Sequence, residues 1–195
     1  MVLEIPERIF VSDSTRQAVT QAAEALHTFV FASFEDTSSS LADQHDHLIV
    51  KFDPAGDDAT KLGSASIVEL PYSDDIAENI ETVRSVNPDT IISARIPLDE
   101  HAVARGLALA AGSAGILHFQ VDHQGNGLGK RSGDFCIDLV KEIHFALLED
   151  GVRDQVTVLV SGGIAMAEHV AKIIACGADG VGVDLALILA TCSAI

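Results

Sequence analysis

The stretch Val156–Leu185, VTVLVSGGIAMAEHVAKIIACGADGVGVDL, constrains the fold more than any other part of this chain. VTVLV is β-branched and almost wholly apolar, as a strand buried on both faces must be. Gly162 and Gly163 then allow a sharp turn without a Cβ penalty. From Ala165 to Cys176 the apolar positions Ala167, Val170, Ala171, Ile174 and Ala175 mark one helical face. Gly177 is a helix stop, and Asp179 to Asp184 returns to strand. A strand ending in Ser161-Gly162-Gly163 ahead of a helix directs backbone N–H groups and the positive helix end at one point. In parallel barrels such a point usually holds a phosphate. The alternative is a tight turn that carries no ligand.

At 195 residues the chain has the length of one domain and can bury most of its apolar surface. Its apolar content of 48% fits a two-sided buried sheet and leaves room for a surface shared with a partner, a second copy included. With 29 acidic and 12 basic residues the net charge is -17, which repels nucleic acid and anionic membranes. Any bound phosphate must therefore rely on local amides. Cys136, Cys176 and Cys192 form no CxxC pair, so a reducing cytoplasm is expected. MVLEIPERIF lacks a basic leader with a long apolar core, so no signal peptide is expected. LALILATCSAI is too short to span a bilayer. That apolar ending suggests a domain, residues 1–195, belonging to a longer multidomain protein.

Taken in order, the chain reads as apolar strands alternating with helical or compact polar links. Strands are expected at Arg8–Ser12, Thr28–Phe34, His47–Phe52, Ser66–Leu70, Thr90–Ile96, Gly115–Val121, Val156–Val160 and Asp179–Asp184. Helices are expected at Thr15–His27, Asp74–Val86, Asp99–Ala111, Asp134–Asp150 and Ala165–Cys176, with a last apolar helix at Ala186–Thr191. The second and third links have room only for helical stubs. Strict alternation argues for a parallel sheet, and about eight repeats argue for a compact (β/α)8 TIM barrel. In the competing doubly wound sheet the glycine turn normally follows the first strand. Here the best glycine turns come late.

Barrel ligands meet the C-terminal ends of the strands. Those ends read Ser12-Asp13, Glu35-Asp36, Asp53, Glu69, Arg95, Asp122-His123, Ser161-Gly162-Gly163 and Asp184. Glu69 and Arg95 on adjacent strands could pair in the mouth, either as part of a site or as a salt bridge closing the barrel top. Arg95 is the strong cation of the set and the candidate holder of an anionic group. His123, in the glycine-rich loop DHQGNGLGKRSG, is either a proton donor near neutral pH or a solvated loop residue. That loop could fold over a planar ligand. His45 and His47 could share a strand face, but without a third ligand no metal site is expected. No GxSxG, Walker or HExxH pattern occurs.

These segments resemble the FMN-binding barrel of the glutamate synthase large subunit and its archaeal and bacterial relatives. VTVLVSGGIAMAEHVAKIIACGADGVGVDLALILATC looks like the family's seventh and eighth units, with RDQV as the lead-in. SVNPDTIISARIP is similar to the segment in which the family carries a lysine, here Arg95. GILHFQVDHQGNGLG stands where the family has a glycine-rich SGHDGGTGA loop, and FASFED falls on NTGEGG, with Glu35 on the acidic position. IFVSDSTRQAVTQAAEAL resembles the first strand and helix. The glycines around Phe34-Glu35 are missing, and Cys192 alone represents the iron–sulfur cysteine cluster.

The resemblance implies FMN lying across the barrel mouth. Its phosphate would rest on the amides of Ser161, Gly162 and Gly163, near Gly182, Val183 and Asp184, with Ser12, Asp122, Gly125 and Arg95 completing the cofactor set. Arg95 would neutralise the reduced ring or a carboxylate, and Glu35 or His123 would move a proton. The implied reaction reduces a 2-iminoglutarate-like intermediate, with electrons from an iron–sulfur module in the parent chain or a partner. A second reading is a barrel that has lost its flavin and serves as a structural or partner-binding module. A third, an aldolase-like or isomerase-like phosphate-ligand enzyme, is weakest: Lys51, the only lysine inside a strand, has no cationic neighbour in sequence to lower its pKa.

Overall fold

The computed structural model describes residues 1–5, 12–37, 41 and 45–192. Eight parallel strands close into a barrel in sequential order, β1 pairing with β8 as well as with β2. They are β1 (Val2–Glu4), β2 (Val30–Ser33), β3 (Leu48–Lys51), β4 (Ile67–Pro71), β5 (Ile91–Pro97), β6 (Ile116–Gln120), β7 (Thr157–Ser161) and β8 (Gly180–Val183). The helices are α1 (Asp13–Ala25), α2 (Phe34–Thr37), α3 (Ile76–Val86), α4 (Ala102–Ala110), α5 (Cys136–Glu149), α6 (Ala167–Ala175) and α7 (Leu185–Cys192). This is the expected TIM barrel, with the expected stubs: α2 is a single turn, and a 3-10 turn at Ala59–Leu62 stands between β3 and β4.

Two expectations change. Residues 8–11 of the expected first strand lie outside the described residues, and the barrel is closed by Val2–Glu4, too short a run to register as a strand in sequence. Ser12 is the N-cap of α1, its hydroxyl accepting from the Thr15 amide. His45–His47 is a 3-10 turn and not a strand face, with His47 Nδ1 3.0 Å from the Thr28 carbonyl. Among the described residues no three metal-ligating side chains cluster, and no helix is long and apolar enough to cross a membrane.

Strand residues alternate between the helices and the barrel axis. The outward set, including Val30, Val50, Val68, Leu117, Phe119 and Val160, packs under the helices in the main core. The inward set forms two layers. Val2, Phe31, Ile49, Ile67, Ile116 and Leu159 make a separate apolar cluster toward the strand starts. Two residues further along the same strands stand Glu4, Ser33, Lys51, Glu69, His118 and Ser161. β5 adds Ser93 and Arg95. The barrel is dry below and charged above.

Room for these side chains comes from β8. A Cβ on Gly180 would meet Leu159 Cδ2 at 2.6 Å, and one on Gly182 would meet Ser161 Cβ at 2.8 Å. The alternating glycines let large neighbours fill the axis.

Candidate functional site

The turn after β7 is shaped by what it packs against. Gly162 and Gly163 have φ of +108° and +64°, where side-chain-bearing residues are strained. A Cβ on Gly162 would sit 2.4 Å from the Val121 carbonyl oxygen, and one on Gly163 2.4 Å from the Gly125 amide nitrogen. Both glycines are therefore required by the close approach of this turn to the loop after β6.

Ser161 commits its carbonyl to the Val121 amide and its hydroxyl to His118. Among the described residues the amides of Gly163, Ile164 and Ala165 donate to no carbonyl or side chain. α6, which follows, has no side-chain cap. A cavity of about 160 Å³ opens here, lined by Gln124, Gly125, Cys136, Gly162, Gly163 and Lys172 among others. It has room for a phosphoryl-sized group beside a lysine. Burial raises the Cys136 thiol above its ordinary pKa, so it lines the cavity as an apolar group.

The glycine-rich loop closes on itself. Asp122 accepts from the amides of Gln124 and Asn126, each at 2.8 Å, and these bonds, that from Asn126 foremost, hold its carboxyl below the usual range. Asn126 bridges to Phe135, and the Leu128 amide ties the loop to Leu98 after β5. His123 is exposed on this loop. Asp122 and Gly125 thus set the wall of the β7 turn, while His123 faces solvent.

Glu35 is exposed in α2. Its neighbour Asp36 is the buried acid, bonded to Arg16 Nη2 and to the Ser33 hydroxyl, each at 2.6 Å. That pair pins α1 to the stub after β2. Val183 is buried and Asp184 half-buried at the start of α7.

The strongest polar constellation includes a residue that sequence reading passed over. His118 Nδ1 lies 2.6 Å from Glu69 Oε2, and Nε2 lies 2.7 Å from Ser161 Oγ. Glu69, His118 and Ser161 are each 1% exposed. An ionised carboxylate only accepts, so Nδ1 carries the proton. Phe31 stacks on the imidazole with centroids 4.7 Å apart. Burial pushes the Glu69 carboxyl up, but His118 beside it, then Lys51 and Arg95, carry it below its ordinary value. The chain of contacts is that of a nucleophile, base and orienting acid, yet its burial keeps substrate from the serine. It is an interior relay. His118 was legible as the inward polar position two residues after Ile116, the same spacing that relates Glu69 to Ile67.

Arg95 and Glu69 approach as expected, but at 4.0 Å, beyond hydrogen-bond range. The Arg95 side chain is 31% exposed, so the guanidinium spans from the buried carboxylate to the mouth. Glu69 Oε1 is buried without a hydrogen-bond partner among the described residues. Lys51 pairs with Glu4 and lies 5.6 Å from the Phe31 ring centre. Its partner is an acid and not the cationic neighbour an amine nucleophile needs.

Among solved structures the chain is similar to QR15, an aldolase (TM-score 0.68, 13% identity, 96% of this chain and 90% of that one). It is also similar to FabK from Thermotoga maritima (TM-score 0.65, 14% identity, 96% and 58%). A third likeness is to mandelate oxidase with benzoyl-formic acid (TM-score 0.68, 18% identity, 99% and 67%). At these identities the likeness is one of fold, and the chain spans 58% of the FabK chain. No curated protein matches it. The profile of the family described as a conserved region in glutamate synthase matches residues 57–195, from the link after β3 through the β7 turn to the end of the chain. With most of its length matched, the chain belongs to the glutamate synthase conserved-region family.

Proposed function

We propose that this chain is an FMN-binding oxidoreductase domain of the glutamate synthase type. In this reading it reduces a 2-iminoglutarate-like intermediate with electrons from an iron–sulfur module of the parent chain or a partner. The observation that carries the reading is the β7 turn. Open amides at Gly163 and Ile164 stand beside a phosphoryl-sized cavity at the C-terminal end of a barrel strand in a member of this family. The donor set fits a phosphate group despite the acidic surface, because it consists of neutral amides, with Lys172, ion-paired to Glu168, at the cavity wall.

When bound, FMN supplies hydride transfer to a carbon–nitrogen double bond. The chain's own residues have separate tasks. The turn amides bind the phosphate; Gly182, Val183 and Asp184, which the family resemblance adds to the cofactor set, do not line this cavity. Asp122 and Gly125 hold the wall that keeps the turn open. Arg95 presents positive charge at the mouth to an anionic ring or carboxylate. Glu35 and His123, both exposed, are the groups able to exchange a proton with solvent, and Ser12 closes the start of α1.

The test is the colour of the purified protein. A yellow preparation that releases FMN on heating supports the reading. A colourless one that takes up no added FMN favours a second reading, a scaffold or partner-binding barrel. One observation favours that alternative: packing against Val121 and Gly125 accounts for Gly162 and Gly163 without any ligand.

A further inference from the structure

We propose that the buried Glu69–His118 pair is a proton store set against Arg95, so that an anionic group seated on Arg95 draws one proton onto the pair. The inference rests on the reading that Arg95 serves an anionic ligand. It concerns how the protein balances that charge.

Arg95 has two claimants. On its inner side is Glu69, whose Oε1 lies 4.0 Å from Nη1 and accepts no hydrogen bond among the described residues. On its outer side the guanidinium reaches the solvent of the mouth. A ligand anion on the outer side would place two negative charges on one guanidinium and weaken the compensation of a fully buried carboxylate. Leaving a buried charge uncompensated is costly. The other cation of this layer, Lys51 on β3, also helps to hold the Glu69 charge, but it is already paired with Glu4 on β1. β2 contributes the Phe31 ring and the Ser33 hydroxyl, which is bonded to Asp36, β5 the Ser93 hydroxyl, β7 the Ser161 hydroxyl, and β8 the side-chain-free Gly182. The group left to take up charge is His118.

The relay is built to accept that proton without rearrangement. With a neutral imidazole, Nδ1–H donates to Glu69 and the Ser161 hydroxyl donates to Nε2. With an imidazolium, Nε2–H donates to Ser161 Oγ instead, because a hydroxyl serves as donor or acceptor. Only the hydroxyl rotates. The stacked Phe31 face also favours the cationic ring. The proton comes from solvent, and no covalent bond forms or breaks. Glu69 and His118 are thus positioning residues that act through Arg95.

The experiment uses glutarate, a dicarboxylate that does not titrate near neutral pH, and imidazole ¹⁵N spectra of the wild-type chain, the His118 signals being identified by their loss in His118→Gln. Glutarate should move those signals from the neutral to the imidazolium pattern. Its affinity should fall by about tenfold per pH unit on the alkaline side, as one linked proton requires. Arg95→Met should abolish both effects. Glu69→Gln, which keeps an acceptor for Nδ1, should bind glutarate at least as tightly as wild type and without the pH slope. A merely structural role for Glu69 predicts weaker binding instead. Glutarate binding with His118 unchanged, or with a flat pH profile, overturns the proposal, as does failure to bind glutarate. FMN uptake, measured separately by fluorescence quenching, tells the two claims apart. Loss of FMN binding with proton-linked glutarate binding intact removes the flavin reading and leaves this one standing.

Discussion

The lower and upper layers of the barrel axis come from the same strands, two residues apart, and they do opposite things. Below, Val2, Phe31, Ile49, Ile67, Ile116 and Leu159 exclude water and need only fit together. Above, Glu69, His118 and Ser161 carry charge or hydrogen bonds into an equally buried space, with the partly exposed Glu4, Lys51 and Arg95 around them, and the buried groups must find partners there. The contrast teaches where this fold keeps stability and where it keeps chemistry. An apolar layer tolerates any shape-matched hydrophobe. A polar layer under the strand ends is worth its desolvation only when charge is needed at the mouth.

The contrast is broken most directly at Phe31, the largest side chain of the lower layer and the ring beneath His118. Phe31→Ala should cost about 3–5 kcal/mol in urea denaturation. A loss near zero would mean the two layers are not mechanically distinct. Ser161→Ala, in the upper layer, leaves His118 Nε2 buried without a partner and should cost about 1–3 kcal/mol. It should also free the ring, visible as a changed imidazole ¹⁵N tautomer pattern.

At the rim, Gly163→Ala puts a methyl group against the Gly125 amide at a left-handed φ. FMN affinity should fall at least about tenfold, equivalent to roughly 1.4 kcal/mol, with the far-ultraviolet circular dichroism unchanged. Unchanged affinity would remove this turn from the site.

Acid sharpens the comparison further. The Glu69 carboxyl is held low in the folded state, so its contribution is complete above the unfolded value near ~4.3 and is lost as pH falls through the folded value. The difference in urea midpoint between wild type and Glu69→Gln should therefore shrink steadily below that pH, whereas Ile67→Val in the lower layer should show a constant difference. The smallest effect is at Glu100, on the solvent side of the loop after β5. Its own amide and that of Lys130 bring its carboxyl to about 2. Glu100→Gln should be nearly silent at pH 7, and the wild-type advantage it removes should disappear between the ordinary carboxylate range and pH 2.

Most of the barrel was legible in sequence because its strands are continuous apolar runs cut by glycine, asparagine and proline, and its longer helices carry clear apolar faces. Val2–Glu4 was missed because three residues carry no periodicity, and its strand identity comes from pairing with β2 and β8. The candidate site was legible at Arg95, Glu69 and the Ser161-Gly162-Gly163 turn, which end strands. At His118 only an inward polar position could be read from its spacing; its role appears when β4 and β7 bring Glu69 and Ser161 to either side of it. The loop after β6 was read as a cover for a ligand. Its Asx turn and the Asn126–Phe135 bridge fix its shape, and its Val121 and Gly125 backbone packs against the β7 turn.

The sequence by itself determined the alternation of strand and helix, the stubs of the second and third units, and the paired glycines late in the barrel. These are local matters of periodicity and backbone freedom, which neighbouring residues decide. Only the tertiary structure decided which acid is buried at each strand end, Asp36 and not Glu35, and which side of Arg95 is already claimed. Those outcomes depend on barrel closure, which sets residues 43 to 49 positions apart within hydrogen-bond reach. Only then does the cost of burying a charge fix its partner.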